Sequence, residues 1–538
     1  MDKQDFSVLK SLFDGKMLID KVFPFPEQSA EDKETMQMFL DSVEGFCKEN
    51  INGDKIEREK NIPREILEGL GELGVFGITI PEEYGGSGLG PTIYSRVVGT
   101  ISKYCSSTAI TIGAHQSIGY KPIILYGSEE QKQKYLPSMA TGEKLAAYAI
   151  TEANAGSDNM SIRTTADLSA DESHFIVNGN KLWITNGGIA DVFTILAKTK
   201  KGQTMFVIDK EMGVVAGQPE DKLGLRGSST TELVMENVKV PAENVVGRYG
   251  LGFKVAMETL THGRLGLAGS CSVLADHCLK LAVEQAKNRE QFKRQIIDFG
   301  MIREKISYIG TSAYVCDAMT LMTSNLYEQN NNDISIEADV CKTFCTEDLW
   351  IDINEALQIA AGNGYMNEYQ YPRLLRDNRI NQIFEGTSEI QRFIVGHAVL
   401  RNIRLSLNKG LINENSNIPL PNLPNALSDS ATKLLDINEI LTKKSINLIK
   451  KYDAEIFNNQ YMISRIADIT MYLYALLATI SKTDSIIREK GDNAAQLPIL
   501  YCNNFAFRAK NTVLGLADNV DHNMDDVKDE ITTILKNM

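Results

Sequence analysis

The sequence predicts a mainly helical protein with a β-barrel domain in its middle and an additional helical domain at its end. Stretches such as IPREILEGLGELGVFG place apolar residues three and four apart, which is the helical period. Between about residues 146 and 250 the pattern changes to short runs rich in β-branched and aromatic residues, such as HFIVNGNKLWIT and VFTILAKT. Because strands and helices do not alternate, a parallel βαβ sheet is disfavoured.

The same patterns divide the chain into five segments. We expect an N-terminal helical domain over 1–145, the β-barrel domain over 146–250, a helical bundle over 251–410, a proline- and asparagine-rich linker over 411–430, and the additional helical domain over 431–538. Within the β-domain, Asn178-Gly179 predicts a hairpin turn between two strands. The apolar run Ile469 to Ser481 is too short to span a bilayer and predicts a buried helix.

Composition excludes several classes of function. A formal net charge of −14 argues against a nucleic-acid-binding protein. The eight cysteines form no CxxC pair and there are six histidines, so neither a metal site nor a disulfide framework is expected. The N-terminus, MDKQDFSVLKSLFDGK, lacks the pattern of a signal peptide. These features predict a cytoplasmic protein in a reducing compartment.

A carboxylate stands out in RINQIFEGTSEIQRFIV. Glu385 precedes Gly386, which allows a sharp turn, and Ser388 and Gln391 have the spacing of a capping box that would start a new helix at Ser388. A carboxylate among apolar neighbours has a raised pKa, as a general base acting on a weak carbon acid requires. The alternative is a surface glutamate stabilised by the helix N-terminus.

Three further segments are candidates for binding a ligand. YAITEANAGSDNMS offers hydroxyls and backbone N–H groups suited to phosphate or carbonyl groups, or is simply a polar turn. KLWITNGG places Trp183 and Thr185 on one face of a strand, which suits an aromatic cofactor but also an ordinary core tryptophan. The basic cluster KNREQFKRQ could hold a pyrophosphate or be a solvated helix end.

Together these segments resemble the acyl-CoA dehydrogenase family. YAITEANAGSD, KLWITNGG, GLRGSSTTEL, NREQF, QIAAGNGY and IFEGTSEIQR follow one another in family order across about residues 30 to 405. The resemblance implies a helical domain, a central β-barrel and a four-helix bundle, with FAD as cofactor. It also implies oxidation of acyl-CoA to trans-2-enoyl-CoA in fatty-acid β-oxidation, with electrons passed to electron-transferring flavoprotein.

The resemblance assigns roles to matching positions. Glu385 matches the catalytic base; some members carry the base beside the position of Arg264, where this chain has Gly263. Positions matching flavin contacts are Ile150, Thr151, Gly156, Ser157, Trp183, Thr185, Thr387 and Glu389. Positions matching contacts to the FAD of a neighbouring subunit are Arg289, Phe292, Gln358 and Gly362. Ser157, Arg264 and Gly386 match acyl-CoA contacts. Ala361 departs from the family, since many members have glycine there.

The segment STAITIGAHQSIG resembles the very-long-chain branch of the family. Ile110 and Ala114, next to Gly113, match the positions where the medium-chain branch has glutamine and glutamate. Small or apolar residues there imply a deep channel and therefore long-chain acyl-CoA substrates.

The C-terminal part, from about residue 425, resembles the extension of that branch, which implies a homodimer. Its segment LTKKSINLIKKYD places Lys443, Lys444, Lys450 and Lys451 around apolar positions. This pattern fits peripheral contact with a membrane surface, or a solvated face of a packed helix. Two other functions remain open at this point: an acyl-CoA oxidase that uses oxygen, and a scaffold or assembly protein derived from the family.

Overall fold

Local capping signals decide where several helices begin. A computed structural model describes residues 7–330 and 333–536. Ser128 and Gln131 form a reciprocal capping box at the start of Glu129–Ala140. The helix Ser388–Asn408 begins at the predicted residue, but its cap is Thr387, whose hydroxyl accepts from the Ile390 N–H at 3.4 Å. Helix starts therefore follow the sequence, although the capping residue can lie one position earlier.

Helices make up most of the described chain. In chain order the α-helices are Val8–Phe13, Ile19–Val22, Ala30–Asn50, Gly53–Glu59, Arg64–Glu72, Pro91–Tyr104, Ser106–Ala114, Lys121–Tyr126, Glu129–Ala140, Gly252–Asn288, Gly300–Asn330, Ser335–Ala360, Gly362–Tyr365, Tyr371–Asn378, Ser388–Asn408, Ser428–Tyr452, Gln460–Ala494, Gln496–Asp518 and Asp525–Lys536. A π-helical turn, His115–Gly119, continues the helix Ser106–Ala114.

The middle of the chain forms one eight-stranded sheet. Its strands are β1 (Ala146–Ala149), β2 (Thr165–Leu168), β3 (His174–Ile184), β4 (Val192–Thr199), β5 (Gly202–Asp209), β6 (Val214–Ala216), β7 (Thr231–Pro241) and β8 (Val245–Val246). The strand order is β6-β7-β3-β2-β4-β5-β8, and β1 pairs with β4. The predicted fold class, a helical protein with a central β-domain, is confirmed.

The predicted hairpin at Asn178-Gly179 is wrong. β3 runs without interruption through both residues, and its pairing with β7 shifts register between Val177 and Gly179. A Cβ on Gly179 would lie 2.5 Å from the Thr164 hydroxyl. The glycine therefore permits a β-bulge where a neighbouring segment approaches closely, which a sequence pattern does not distinguish from a turn.

The described chain divides into two compact units. One consists of Gln28–Ile309 together with Cys345–Glu385, and the remaining described residues form the other. In the first unit, one face of the sheet buries Phe193, Phe206 and Leu233 completely. This unit contains all of the β-domain and the turn that ends at Glu385.

The second unit is built around the helix Gln460–Ala494. This helix is long and apolar enough to cross a membrane by length and composition, yet 83% of its most apolar window is buried inside the protein. The Tyr474 hydroxyl lies 2.8 Å from the Thr323 hydroxyl within this core. Burial of the run Ile469 to Ser481 confirms the predicted core helix.

Two of the four lysines predicted to lie on one surface of the helix Ser428–Tyr452 take part in ion pairs. Lys450 pairs with Glu414 at 2.6 Å, and Lys451 pairs with Asp521 at 3.0 Å. Lys443 is exposed on the same helix. Acidic neighbours thus pair with two of these lysines, and contact with a membrane stays a prediction.

Ala361 occupies a backbone conformation that suits glycine. Its φ is +50° and its ψ is −127°, a region that costs a residue with a Cβ about 1–3 kcal/mol. We expect Ala361→Gly to raise the free energy of unfolding by about 1 kcal/mol, because the strain relieved exceeds the entropy gained by the unfolded chain. Thermal unfolding of the two proteins measures this difference.

The neighbouring substitution Ala360→Gly is the matched control. Ala360 ends a helix and its side chain is buried, so glycine there is expected to destabilise the protein. Destabilisation by both substitutions would contradict the strain at Ala361.

Candidate active site

Glu385 lies in a tight turn that follows the 3₁₀ helix Arg379–Gln382. Its backbone is left-handed, with φ of +56°, and Gly386 follows at +94°. A glutamate in this conformation is strained by about 1–3 kcal/mol and keeps it only where the surrounding structure holds it. Gly386 takes the second left-handed position without strain, as the sequence pattern predicts.

Arg264 holds this turn from the helix Gly252–Asn288. Its Nε donates to the backbone carbonyl of Glu385 at 3.0 Å, and only 7% of Arg264 is exposed. A charged donor strengthens a hydrogen bond that is shielded from water. Arg264 thus lies beside the predicted base and contacts its main chain.

The Glu385 carboxylate packs against Gly263 on the same helix. A Cβ on Gly263 would lie 2.6 Å from Oε2 and 2.8 Å from Oε1. Contacts this short do not occur, so any larger residue would displace the carboxylate or the helix. Gly263 therefore supplies the space that the carboxylate occupies, which the sequence pattern alone does not reveal.

A cleft extends from the carboxylate between three helices. Each helix lines the cleft with residues three or four apart, and so with one face. From Pro91–Tyr104 these residues are Tyr94, Val98 and Ser102; from Ser106–Ala114 they are Ser106, Ala109, Ile110 and Gly113; from Gly252–Asn288 they are Gly263, Gly266, Leu267, Ser270, Cys271 and Leu274. Gly113 lines the cleft as predicted, whereas Ala114 is buried outside the set of lining residues.

Tyr94 crosses this cleft close to the carboxylate. Its hydroxyl donates to the Gly113 carbonyl at 3.0 Å, and its ring lies where a Cβ on Gly266 would be, 2.5 Å from Cε1. Burial raises the pKa of Tyr94, and the negative charge of Glu385 raises it further. Burial and the same charge raise the pKa of Tyr148 as well. Both phenols therefore remain neutral around Glu385.

A second group of predicted residues lies on β1, β3 and the segments that follow them. The Leu182 N–H donates to the Thr151 carbonyl at 2.9 Å, which joins the two segments. The pairing of β3 shifts register between Lys181 and Ile184, and Trp183 has a left-handed φ of +58° at this bulge. The bulge leaves Trp183 60% exposed, although large apolar side chains are usually buried.

Asn186 fixes the turn after β3. It is fully buried with a φ of +65°, and its side-chain amide donates to the Thr111 carbonyl at 2.8 Å and weakly to that of Ala146. Asparagine tolerates this conformation better than most residues. Asn186 is a functional residue that the sequence motifs did not identify; its place before two glycines in TNGG was the available signal.

Gly156 and Ser157 lie in an exposed turn that follows Glu152. The Glu152 and Ala155 backbones exchange hydrogen bonds, which closes the turn directly before these two residues. Both residues are thus accessible to a ligand, as their predicted roles require.

The residues that match contacts to a neighbouring subunit's FAD are exposed. Arg289 ends the helix Gly252–Asn288, and Phe292, 88% exposed, lies in the short hairpin that follows. Gln358 and Gly362 are also exposed. None of these four lines the cleft beside Glu385. The structure therefore separates them from the base within one chain.

Gly386 and the residues that follow it belong to the second compact unit. There the buried Lys342 ammonium donates to the Gly386 carbonyl at 2.7 Å. Glu389 stands in the first turn of its helix, where its own backbone N–H and the Thr387 hydroxyl lower its pKa. Thr387 thus caps the helix, a structural role beside its predicted contact with the cofactor.

Comparison with known proteins places these features in a family. Residues 33–143, 147–238 and 250–400 match the N-terminal, middle and C-terminal domains of acyl-CoA dehydrogenases. Residues 425–537 match the domain described as ACAD9/ACADV, C-terminal domain. Each of the first three matches covers one part of the helix, sheet and helix order seen in the structure.

Relatives match along almost the whole chain. The very long-chain specific acyl-CoA dehydrogenase of Macaca fascicularis mitochondria is 36% identical over 94% of this chain and 83% of its own. A probable acyl-CoA dehydrogenase of Bacillus subtilis is 34% identical over 93% of this chain and 89% of its own. The crystal structure of an acyl-CoA dehydrogenase complexed with FAD from Bacillus anthracis is 31% identical, covers 98% of this chain and 94% of its own, and has a TM-score of 0.87.

This chain belongs to the acyl-CoA dehydrogenase family. It is an FAD-dependent oxidoreductase of the type that acts in fatty-acid β-oxidation. The arrangement around β3 fits the cofactor, because the exposed Trp183 indole offers a flat apolar face and Thr185 follows just beyond the bulge.

Replacement of Gly263 tests the packing of the carboxylate. We expect Gly263→Ala to lower kcat about 100-fold, because the added Cβ displaces the Glu385 carboxylate by about 1 Å. Steady-state assay with an acyl-CoA substrate measures the loss. Gly269→Ala, on the same helix, is the control, since its Cβ would meet Ser95 and affect packing without reaching Glu385. Equal loss of kcat in both variants would contradict this role of Gly263.

Ionisation of Asp377, which lines the cleft, makes the stability of the folded protein depend on pH. It is buried, burial raises its pKa to about 6, and its carboxylate accepts from the Leu225 N–H at 2.7 Å. The unfolded group ionises near 3.8, so between these pH values the folded protein binds more protons and its stability falls as pH rises. Asp377→Asn keeps an acceptor for Leu225 without the charge.

We therefore expect Asp377→Asn to gain stability relative to the unaltered protein as pH rises from 3.8 to about 6. Thermal unfolding of both proteins from acidic to neutral pH measures the difference between them. A difference that stays constant across this range would contradict the raised pKa.

Proposed function

We propose that the protein oxidises long-chain acyl-CoA thioesters to trans-2-enoyl-CoA, with Glu385 as the catalytic base and electron-transferring flavoprotein as the electron acceptor. The observation that carries the proposal is the Glu385 carboxylate at the head of a cleft, held in a left-handed turn and packed on Gly263. A base fixed in this way removes a proton at a defined position and needs little reorganisation.

The chemistry requires removal of a weakly acidic proton. The α-hydrogen of a thioester becomes more acidic when its carbonyl oxygen accepts hydrogen bonds, for which we propose the backbone N–H of Glu385. Arg264 holds the carbonyl of the same residue, so it fixes the orientation of that residue's backbone. Bound FAD supplies the acceptor for the hydrogen that leaves the β-carbon.

The walls of the cleft also exclude water. Val98, Ala109, Cys271 and Leu274 are almost completely buried and line the cleft with mainly apolar atoms. A surrounding of low polarity strengthens the electrostatic interactions of the carboxylate with the substrate and prevents competing proton transfer to solvent.

The length of the cleft supports a long acyl chain. Its lining extends along the helix Gly252–Asn288 from Gly263 to Leu274, which is about 16 Å at the helical rise. Each methylene buried there contributes up to about 0.8 kcal/mol of binding free energy. Small residues at Ala109 and Gly113 leave room for the chain beside Tyr94, whose ring packs on Gly266.

We further propose a homodimer. The exposed positions Arg289, Phe292, Gln358 and Gly362 match family contacts to the FAD of a neighbouring subunit, and the C-terminal region matches the ACAD9/ACADV C-terminal domain. Phe292, 88% exposed in one chain, would lose its contact with water on burial against a partner, which would favour association.

Anaerobic reduction of the bound flavin tests the proposal directly. With butyryl-, octanoyl- and palmitoyl-CoA, we expect bleaching to be fastest with palmitoyl-CoA, because it fills more of the cleft. Glu385→Gln should slow bleaching by about 10²–10⁴-fold with FAD still bound, since the amide cannot accept the proton. Flavin absorbance in a stopped-flow instrument measures both effects.

Glu284→Gln is the matched control, because Glu284 is exposed on the helix that also carries Gly263. Its bleaching should equal that of the unaltered protein. Unchanged bleaching in Glu385→Gln would reject Glu385 as the base, and a preference for butyryl-CoA would reject the long-chain assignment. Rapid peroxide formation in air would identify an oxidase, and a purified protein without flavin would favour a scaffold.

A further inference from the structure

A buried ion pair joins two of the segments assigned to the flavin. Lys181 on β3 is fully buried, and its ammonium donates to the Glu152 carboxylate at 2.8 Å and to the Ile150 carbonyl at 3.0 Å. Ile150 and Thr151 directly precede Glu152, and Trp183 lies two residues beyond Lys181. One ammonium group therefore connects both segments from inside the protein.

The Glu152 carboxylate closes the intervening loop. Besides Lys181, it accepts from the backbone N–H groups of Arg163 at 2.6 Å and Thr164 at 3.0 Å. The loop between Glu152 and Arg163 carries Gly156 and Ser157. Glu152 begins this loop, and its carboxylate oxygens accept from the backbone of the residues that end the loop. The carboxylate therefore holds the two ends of the loop close together.

Burial of the two charges of this ion pair costs free energy of desolvation, so the pair is not expected to add to the stability of the fold. Burial lowers the pKa of Lys181 to about 8, although its bond to Glu152 opposes this shift. Burial also opposes ionisation of Glu152, yet the bonds from Lys181 and from the loop hold its pKa below the usual value. Apolar residues of similar volume often replace such pairs without loss of stability. The pair is better explained by the position that it imposes on the chain.

Lys181 precedes the second irregularity of β3, and Trp183 lies within it. The register of the strand shifts between Lys181 and Ile184, and Lys181 is buried while Trp183 is 60% exposed. Bulges of this kind redirect side chains near functional sites. A change in how Lys181 is held would therefore alter the presentation of the indole and of the Ile150–Thr151 backbone together.

We propose that Glu152 and Lys181 are positioning residues that set the relative placement of Ile150–Thr151 and Trp183 for binding the flavin ring. The proposal rests on the flavin contacts assigned under the proposed function. It does not depend on the acyl substrate or on Glu385, because FAD affinity and the flavin spectrum are measured without acyl-CoA.

The double variant Glu152→Gln/Lys181→Met provides the decisive test. Glutamine retains one of the two acceptor oxygens, which suffices for the Thr164 N–H but not for the Arg163 N–H as well. Methionine fills the space of the lysine stem without donating to Ile150. We expect the variant to fold, to bind FAD about tenfold more weakly, and to show a shifted flavin absorbance band. With saturating acyl-CoA, kcat should fall by up to about 100-fold while KM stays nearly constant.

A buried ion pair of the second compact unit is the matched control. Arg465 and Asp525 bond at 2.9 and 2.5 Å, and both are largely buried. Arg465→Met/Asp525→Asn should change thermal stability but neither the flavin spectrum nor FAD affinity. A Glu152/Lys181 double variant that folds and keeps the original spectrum, FAD affinity and kcat would overturn the proposal.

Glu152→Gln alone tests the part that the carboxylate plays. This variant keeps the bond from Lys181 to the Ile150 carbonyl but loses the charge that pairs Lys181 and one acceptor oxygen. FAD affinity and kcat should therefore change in the same direction as in the double variant, and by less. Unaltered FAD affinity, flavin spectrum and kcat would show that Glu152 does not position the flavin segments, which would also overturn the proposal, even where the double variant does not fold.

Discussion

The turn at Glu385 depends on one steric constraint, the absence of a side chain at Gly263. The carboxylate fills the volume that a Cβ would occupy, and the nearest contact would be 2.6 Å. The strained backbone of Glu385 persists because Arg264, the next residue of the same helix, bonds its carbonyl. Two consecutive residues of one helix thus determine where the carboxylate and its main chain lie.

The cleft follows from the same helix. Gly263, Gly266, Ser270 and Leu274 repeat at helical spacing, so one face of the helix lines the cleft along its length. Tyr94 occupies the surface of Gly266 and bonds to Gly113, which links the two other helices of the cleft. A neutral phenol is required there, since a second negative charge beside Glu385 would be strongly unfavourable.

In the β-domain, bulges as well as the regular alternation of strands determine which side chains are exposed. The bulge at Gly179 leaves space for Thr164. The bulge at Trp183 exposes the indole, whereas in a regular strand it would lie on the same face as the buried Lys181. Asn186 and the Glu152–Lys181 pair fix the chain on either side of the second bulge through buried hydrogen bonds. Polar groups inside the domain therefore specify geometry that apolar packing leaves undetermined.

The sequence by itself determined the order of helices and strands, the turn at Glu385-Gly386, the start of the helix at Ser388 and the membership of the family. These features depend on local periodicity and on motif residues that stand close together in the chain. It did not determine the role of Asn178-Gly179, the space at Gly263 for the carboxylate, or the crossing of the cleft by Tyr94. Each of these depends on atoms that are distant in sequence, such as Thr164 beside Gly179 and Glu385 beside Gly263, and only the folded chain brings them within contact distance.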